Sequence, residues 1–202
     1  HGGLAVGDLL RQRLRLSEIA GALPDLHRRA SFWYEAQNLA PDAVHHALEG
    51  RDWATAVRLI QRLSTDLLKR GELLTLLRWY EALPESVVRA DPALCLERSW
   101  PLVLSGQIEA AEPYIDAAER EARERNDAAL LGDVSAARAY IARLRGDHRS
   151  VIVHSERALA LIPSDDMESR GVVAVNLGLT RWFRGDLDAA EQALQEAERS
   201  GR

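Results

Sequence analysis

The chain has 202 residues, of which 47% are hydrophobic and 28% are charged, and its formal net charge is −5. This composition is typical of a water-soluble globular protein, and the acidic balance gives no electrostatic reason to expect DNA or an anionic membrane as a partner. The only cysteine is Cys95, so an internal disulfide is excluded and a reducing, cytoplasmic setting is expected. No apolar run approaches the ~20 residues that a membrane-spanning helix needs.

Helical periodicity runs through the first half of the chain, and no stretch alternates apolar and polar residues as a half-buried strand would. Glycines and prolines mark the breaks between helices, and Pro24 stands where a proline favours the first turn. Asp52 is placed to cap the helix that follows it. This half of the sequence predicts helices at residues 4–16, 24–37, 41–48, 53–69 and 72–83.

The second half contains a repeat that is marked by Gly106, Gly146 and Gly185. The glycines are spaced 146 − 106 = 40 and 185 − 146 = 39 residues apart, which is the length of one helical hairpin. A single hairpin cannot bury its apolar face alone, so such repeats stack on one another. The repeats predict three helix pairs, at residues 92–105 with 107–125, 128–145 with 147–161, and 166–184 with 187–199.

Small residues recur where the paired helices are expected to meet. Ala111 and Ala118 fall on one stripe of their helix, and Ala190 and Ala197 repeat the pattern in the last helix. A missing side chain lets two helices approach closely, and the mid-helix Gly178 is expected to mark a similar close contact. The chain is therefore predicted to be all-α, an α-solenoid or superhelix of antiparallel helix pairs.

The last repeat resembles a tetratricopeptide repeat in its Asn176-Leu-Gly motif and its Gly185-Asp pair. The earlier half carries the motifs Leu26-His-Arg-Arg-Ala-Ser-Phe-Trp-Tyr-Glu-Ala and Arg78-Trp-Tyr-Glu-Ala-Leu-Pro84. Between them lie Asp42-Ala-Val-His-His-Ala-Leu and Gly50-Arg-Asp-Trp-Ala-Thr-Ala. Together these motifs resemble the MalT-like branch of the large LuxR-family transcriptional regulators, and the similarity covers nearly the whole chain.

This resemblance implies a domain order of signal-transduction ATPase, winged-helix region, tetratricopeptide sensor and C-terminal helix-turn-helix. Residues 1–20 look like the C-terminal end of the preceding winged-helix region or a linker, and residues 24–202 look like the sensor, truncated at its C-terminal end. The chain has no G-x-x-x-x-G-K-[S/T] phosphate loop and no DNA-reading module. It is therefore expected to be neither an enzyme nor a DNA-binding unit by itself, and to need no cofactor.

Four residues form the candidate ligand-binding site. In tetratricopeptide geometry the first helix of each pair lines the concave groove, and Trp100, Tyr140, Arg143 and Trp182 fall on the inward stripe. Aromatic faces stack on sugar rings and other flat apolar groups, while arginine supplies hydrogen-bond donors. The alternative is that these aromatic side chains pack between successive hairpins.

Other polar and aromatic residues have simpler interpretations. His45 and His46 are neighbours on a helix and point about 100° apart, so no metal site is expected. Cys95 is expected to be a buried small hydrophobe. Asp165, Asp166 and Glu168 are expected to cap a helix and to compensate its dipole. A further set of aromatic residues is expected in the core, namely Trp33, Tyr34, Trp53 and Trp79.

Two classes of function remain open. The first is a sensor that binds a small inducer and controls the attached ATPase in the full-length regulator. The second is a protein–protein interaction scaffold that binds a regulatory protein, another domain or another copy of the chain and has no small-molecule ligand.

Overall fold

The computed structural model describes residues 21–200, so the predicted helix at residues 4–16 and the proposed boundary near residue 20 lie outside the described residues. Within residues 21–200 the chain forms helices and no strand, which confirms the all-α prediction. The helices are α1 (Leu23–Ala36), α2 (Ala40–Glu49), α3 (Trp53–Lys69), α4 (Leu73–Ala82), α5 (Glu85–Ala90), α6 (Pro92–Leu104), α7 (Ile108–Glu124), α8 (Ala128–Leu144), α9 (His148–Leu161), α10 (Met167–Phe183) and α11 (Leu187–Ser200).

Contacts divide the chain into two units, which meet in sequence between Pro84 and Glu85. In the first unit α1 packs on α2, α2 packs on α3 and α3 packs on α4. Its core is built from fully buried aliphatic side chains and from Tyr80, whose hydroxyl lies 3.3 Å from the Ser64 hydroxyl. Burial of these apolar side chains supplies the main stabilisation of the unit.

The second unit consists of α5 followed by three helical hairpins, α6/α7, α8/α9 and α10/α11. The six hairpin helices begin and end within one residue of the predicted positions. The first helices α6, α8 and α10 also contact one another in succession. The repeat spacing therefore predicted both the hairpins and their order of stacking.

The repeat glycines close each first helix in a left-handed backbone conformation. Gly146 has φ = 72°, which a residue with a side chain adopts only with strain, and it is followed by the N-cap residue Asp147. The Asp147 carboxylate accepts a hydrogen bond from the backbone N–H of Ser150 at 3.1 Å. Asp52 and Asp166 cap α3 and α10 in the same way, as their positions in the sequence predicted.

Three of the four alanines predicted to lie where paired helices meet are buried, and the fourth, Ala197, is half-buried. Ala111 and Ala118 are 0% exposed and Ala190 is 2% exposed. A Cβ atom at Gly178 would lie only 2.7 Å from Cγ of Leu194 in the facing helix α11. Gly132, which the sequence analysis did not single out, lies against the chain at the end of α9, where an added Cβ would be 2.9 Å from the Ile162 backbone nitrogen.

The prediction that four N-terminal aromatic residues are core residues is wrong for Trp33, which is 55% exposed. The others are half-buried, namely Tyr34, Trp53 and Trp79. The reason is that α1 turns a face centred on Ser31 toward α2, where the Ser31 hydroxyl donates to the carbonyl of Ala43 at 2.8 Å. Trp33 is two residues further along the helix, so it points about 200° away from that face.

Candidate ligand-binding surface on the first helices

Three of the four predicted site residues meet where α6 and α8 lie side by side. The rings of Trp100 and Tyr140 are arranged edge to face, with centroids 5.8 Å apart and an interplanar angle of 74°. The guanidinium carbon of Arg143, one turn further along α8, lies 4.5 Å from the Tyr140 ring centroid. Both distances are in the range of favourable aromatic and cation–π contacts.

These three side chains remain partly open to solvent. Trp100 and Tyr140 are half-buried, and Arg143 is exposed. Trp100 and Tyr140 therefore join two successive first helices, and each residue is partly exposed. The sequence left open whether these aromatic residues line a groove or pack between hairpins. In the structure the two rings contact each other between successive hairpins, and both residues are still partly exposed to solvent. The ligand-binding role of the residues stays a prediction.

Trp182 stands apart from this cluster. It lies near the C-terminal end of α10 and is 55% exposed. Among the described residues its ring contact is with Phe183, at a centroid separation of 5.0 Å. Trp100, Tyr140 and Arg143 therefore form one cluster on α6 and α8, whereas Trp182 lies outside this cluster on the next first helix, α10.

The repeat register explains this division. Trp100 and Tyr140 both stand six residues before their repeat glycine, and the equivalent residue of α10 is Leu179. Arg143 and Trp182 both stand three residues before theirs. Residues at the same register occupy the same face of successive first helices, so aligning the sequence on its repeat glycines would have predicted the Trp100–Tyr140 contact.

Asp133 is a further polar group on this face that the sequence analysis missed. It precedes Tyr140 by seven residues, or about two helical turns, and therefore lies on the same side of α8. Burial, together with the nearby negative charges of Asp166 and Asp127, raises the pKa of Asp133 to about 6. Its carboxyl group can accept hydrogen bonds when ionised and donate one when protonated.

The raised pKa of Asp133 predicts a pH-dependent stability. The folded state holds this proton more tightly than the unfolded state, so the free energy of unfolding falls as the pH rises from about 4 to about 6. We expect Asp133→Asn to raise the stability by about 1–2 kcal/mol at pH 7.5 and to have little effect at pH 4. Urea unfolding at the two pH values measures this difference.

Asp188→Asn, which removes an exposed carboxylate from α11, is the control for the loss of a surface charge. Equal effects of the two substitutions on the free energy of unfolding at pH 7.5 would contradict the conclusion that burial disfavours the ionised form of Asp133.

The remaining candidate groups have structural roles. The Nδ1 atoms of His27 and His46 lie 2.8 Å apart, and burial and the neighbouring histidines lower the pKa of His46. Between residues 21 and 200 no group of three or more histidine, cysteine, aspartate or glutamate side chains is arranged to hold a metal ion. Cys95 is buried as expected; its thiol donates to the Val88 carbonyl at 3.3 Å, and burial raises its pKa.

None of the helices in the described part of the chain is long and apolar enough to cross a membrane. The fold over residues 21–200 is that of an all-α helical-repeat protein. No protein-family model matches the chain.

Comparison with curated proteins gives a more specific similarity. The chain is 29% identical to the HTH-type transcriptional regulator MalT of Cronobacter sakazakii over 192 residues, which are 95% of this chain and 21% of that protein. It is 29% identical to the protein of the same name from Klebsiella pneumoniae over 196 residues, 97% of this chain and 22% of that protein. The chain therefore spans about a fifth of the length of these relatives and is similar to a region of a transcription regulator.

Proposed function

We propose that this chain is the regulatory helical-repeat region of a MalT-like, LuxR-family transcription regulator, acting in the cytoplasm. In this proposal the region binds a small effector and controls the activation of the full-length protein, whose other domains supply ATP hydrolysis and DNA binding. The similarity to regulators named MalT over at least 95% of the chain supports this assignment, and so do the three stacked helical hairpins.

The cluster of Trp100, Tyr140 and Arg143 is the observation that carries the proposal of an effector site. Two aromatic rings present apolar faces and edges, and the adjacent guanidinium supplies several donors in a planar arrangement. Asp133 adds a carboxyl group on the same side of α8. This chemistry suits a ligand that combines a flat apolar or sugar ring with oxygen acceptors, and Trp182 would extend the surface onto α10.

The position of the cluster also suggests how binding could be transmitted. Trp100 belongs to one hairpin and Tyr140 to the next, so a ligand that contacts both favours one spacing of the hairpins over others. Binding then shifts the population of repeat conformations. Only a ligand whose affinity differs between these conformations can transmit a signal, because a ligand that binds them equally leaves their populations unchanged.

A thermal-shift screen of the purified chain against oligosaccharides and flat polar metabolites tests the proposal. We expect a ligand that raises the melting temperature of the parent and of Trp33→Ala, which removes an exposed tryptophan from the first unit. The same ligand should give no shift with the Trp100→Ala/Tyr140→Ala variant, because both aromatic contacts are lost. A ligand that stabilises all three proteins equally would place the effector site elsewhere.

A protein–protein interaction scaffold is the second candidate function, and one observation favours it. The helix α10 exposes several large apolar side chains, namely Val172, Val175, Leu179 and Trp182, a pattern that commonly marks an interaction surface.

A further inference from the structure

Two histidines from neighbouring helices meet where α1 packs on α2. The Nδ1 atom of His27 in α1 lies 2.8 Å from the Nδ1 atom of His46 in α2, and the two ring centroids are 5.0 Å apart. The ring of Tyr34 stacks on His46, with a centroid separation of 5.1 Å and an interplanar angle of 13°. All three residues are half-buried, so the Tyr34 ring limits how far His46 can turn away from His27.

The two helices are in close contact around this histidine pair. The buried Ser31 hydroxyl of α1 donates to the Ala43 carbonyl of α2 at 2.8 Å. At Gly50, which follows α2, an added Cβ atom would lie only 3.0 Å from the Arg28 backbone nitrogen. The two Nδ1 atoms can therefore move apart only if a ring leaves its stacked position or if the helices separate.

The contact between the two Nδ1 atoms limits the number of protons that the pair can hold. A neutral histidine ring has one N–H group and one unprotonated nitrogen, so one Nδ1 atom donates and the other accepts. A first added proton binds the unprotonated Nε2 atom of the donor ring and leaves the hydrogen bond in place. A second added proton must bind the acceptor Nδ1 atom. Two N–H groups of two cations then face each other, and the contact becomes repulsive.

The surroundings of His46 also oppose a positive charge on its ring. Burial is the main cause that lowers the pKa of His46, and the nearby His27 and His45 lower it further. The carboxylates of Asp42 and Glu49 on the same helix only partly offset these effects. A histidine that opening exposes to water regains its ordinary pKa of about 6.5. The opened state therefore binds more protons than the closed state, so the contact is most stable above about pH 6.5 and weakens as the pH falls below it.

Charged residues also lie on α3 and α4, which pack on α2. Arg58 and Arg62 of α3 bind the Glu35 carboxylate of α1, and the hydrogen bond from Arg58 is the main cause that lowers the pKa of Glu35. On α4, Arg78 and Glu81 are exposed. Carboxylates and guanidinium groups with ordinary or lowered carboxylate pKa values stay ionised between about pH 5.5 and pH 7.5, so a change in this range reports on the histidines.

We propose that the His27–His46 pair is a pH-sensitive switch between α1 and α2. The contact is closed while the two rings carry at most one positive charge, and it opens when both rings are protonated. Opening releases α1 from α2, so mild acidification loosens the start of the first unit without any ligand. This inference does not depend on effector binding at Trp100 and Tyr140, which belong to the second unit.

Hydrogen–deuterium exchange of the 202-residue chain at pH 7.5 and pH 5.5 tests the proposal, after correction for the pH dependence of intrinsic exchange. We expect the opening constant of the α1 amides to rise about five- to ten-fold at pH 5.5. One additional proton bound by the opened state gives at most about a ten-fold change at one pH unit below its pKa. A rise of less than two-fold would overturn the proposal.

His46→Gln and His27→Gln, measured separately, should each remove most of this rise, because the glutamine amide can form hydrogen bonds but does not titrate. His148→Gln is the matched control, because His148 is an exposed histidine at the start of α9 in the second unit, and it should keep the full rise. Circular dichroism of each variant verifies that the helices are intact. The proposal is wrong if both substitutions in the pair leave the rise unchanged, or if His148→Gln removes it as well.

Discussion

Ala111→Leu is expected to lower the free energy of unfolding by about 1–3 kcal/mol. Ala111 is 0% exposed in α7, a helix that packs against α6 of its own hairpin and against α8 of the next one. Three additional carbon atoms at this position can be accommodated only if the two helices separate or if neighbouring side chains leave their preferred rotamers. Ala190→Leu repeats the experiment in the last hairpin, where Ala190 is 2% exposed.

Urea unfolding of these variants gives the change directly, and Ala110→Leu is the matched control. Ala110 is the preceding residue of the same helix and is exposed, so the same substitution there adds the same atoms without crowding. Leucine and alanine are both good helix formers, which keeps the intrinsic helix preference similar in the two variants. Equal midpoints for Ala110→Leu and Ala111→Leu would mean that the helices of this hairpin do not meet at Ala111.

Gly132→Val is expected to have the largest effect of the substitutions considered, a loss of about 3 kcal/mol or more. The Cβ atom would lie 2.9 Å from the Ile162 backbone nitrogen and 2.8 Å from Cγ1 of the same residue. Backbone cannot move aside as a side chain can, so α8 and the end of α9 must separate. Because a central glycine destabilises a helix by roughly 1 kcal/mol relative to alanine, its close packing must offset that cost.

Gly178→Val provides an internal comparison for this prediction. The nearest atoms to a Cβ at Gly178 are Cγ and Cδ2 of Leu194, at 2.7 and 2.8 Å, and a leucine side chain can rotate to relieve part of the overlap. We therefore expect Gly178→Val to cost less than Gly132→Val. Chemical unfolding that ranks the two in the opposite order would contradict the assignment of Gly132 to the tighter contact.

Local signals explain why so much of the fold could be predicted. The turn glycines Gly106, Gly146 and Gly185 adopt the left-handed backbone conformation that ends each first helix, and they are visible as a period of 40 and 39 residues. Capping by Asp52, Asp147 and Asp166 depends on residues only three positions away. Such interactions lie within one turn of the chain, so sequence alone predicts them well.

Interactions between distant residues were harder to predict. Arg170 donates to the carbonyl oxygens of Leu159 and Ile162 and to the carboxylate of Glu196, and so links three helices. Nothing in its local sequence distinguishes it from the exposed arginines. The exposure of Trp33 was also missed, because it depends on which face of α1 meets α2.

The arrangement of the candidate site was predicted only in part. Trp100, Tyr140 and Arg143 were predicted to share a surface, and in the structure the Tyr140 ring contacts both of the others. Trp182 occupies the register of Arg143 in the next hairpin, where it is 55% exposed and lies outside the cluster. Asp133 was not predicted, since it lies two helical turns before Tyr140 and shares a side of α8 with it only because the helix is continuous from Ala128 to Leu144.

The central claim is that a small effector binds across Trp100 and Tyr140. Isothermal titration calorimetry of the ligand found by thermal shift, with the parent and Tyr140→Ala, tests it most directly. Tyr140 contacts both the Trp100 ring and the Arg143 guanidinium. Tyr140→Ala therefore removes one aromatic ring of the site and also the ring against which the Arg143 guanidinium packs. We expect the dissociation constant to rise at least ten-fold in Tyr140→Ala, and an unchanged dissociation constant in a folded variant would contradict effector binding across Trp100 and Tyr140.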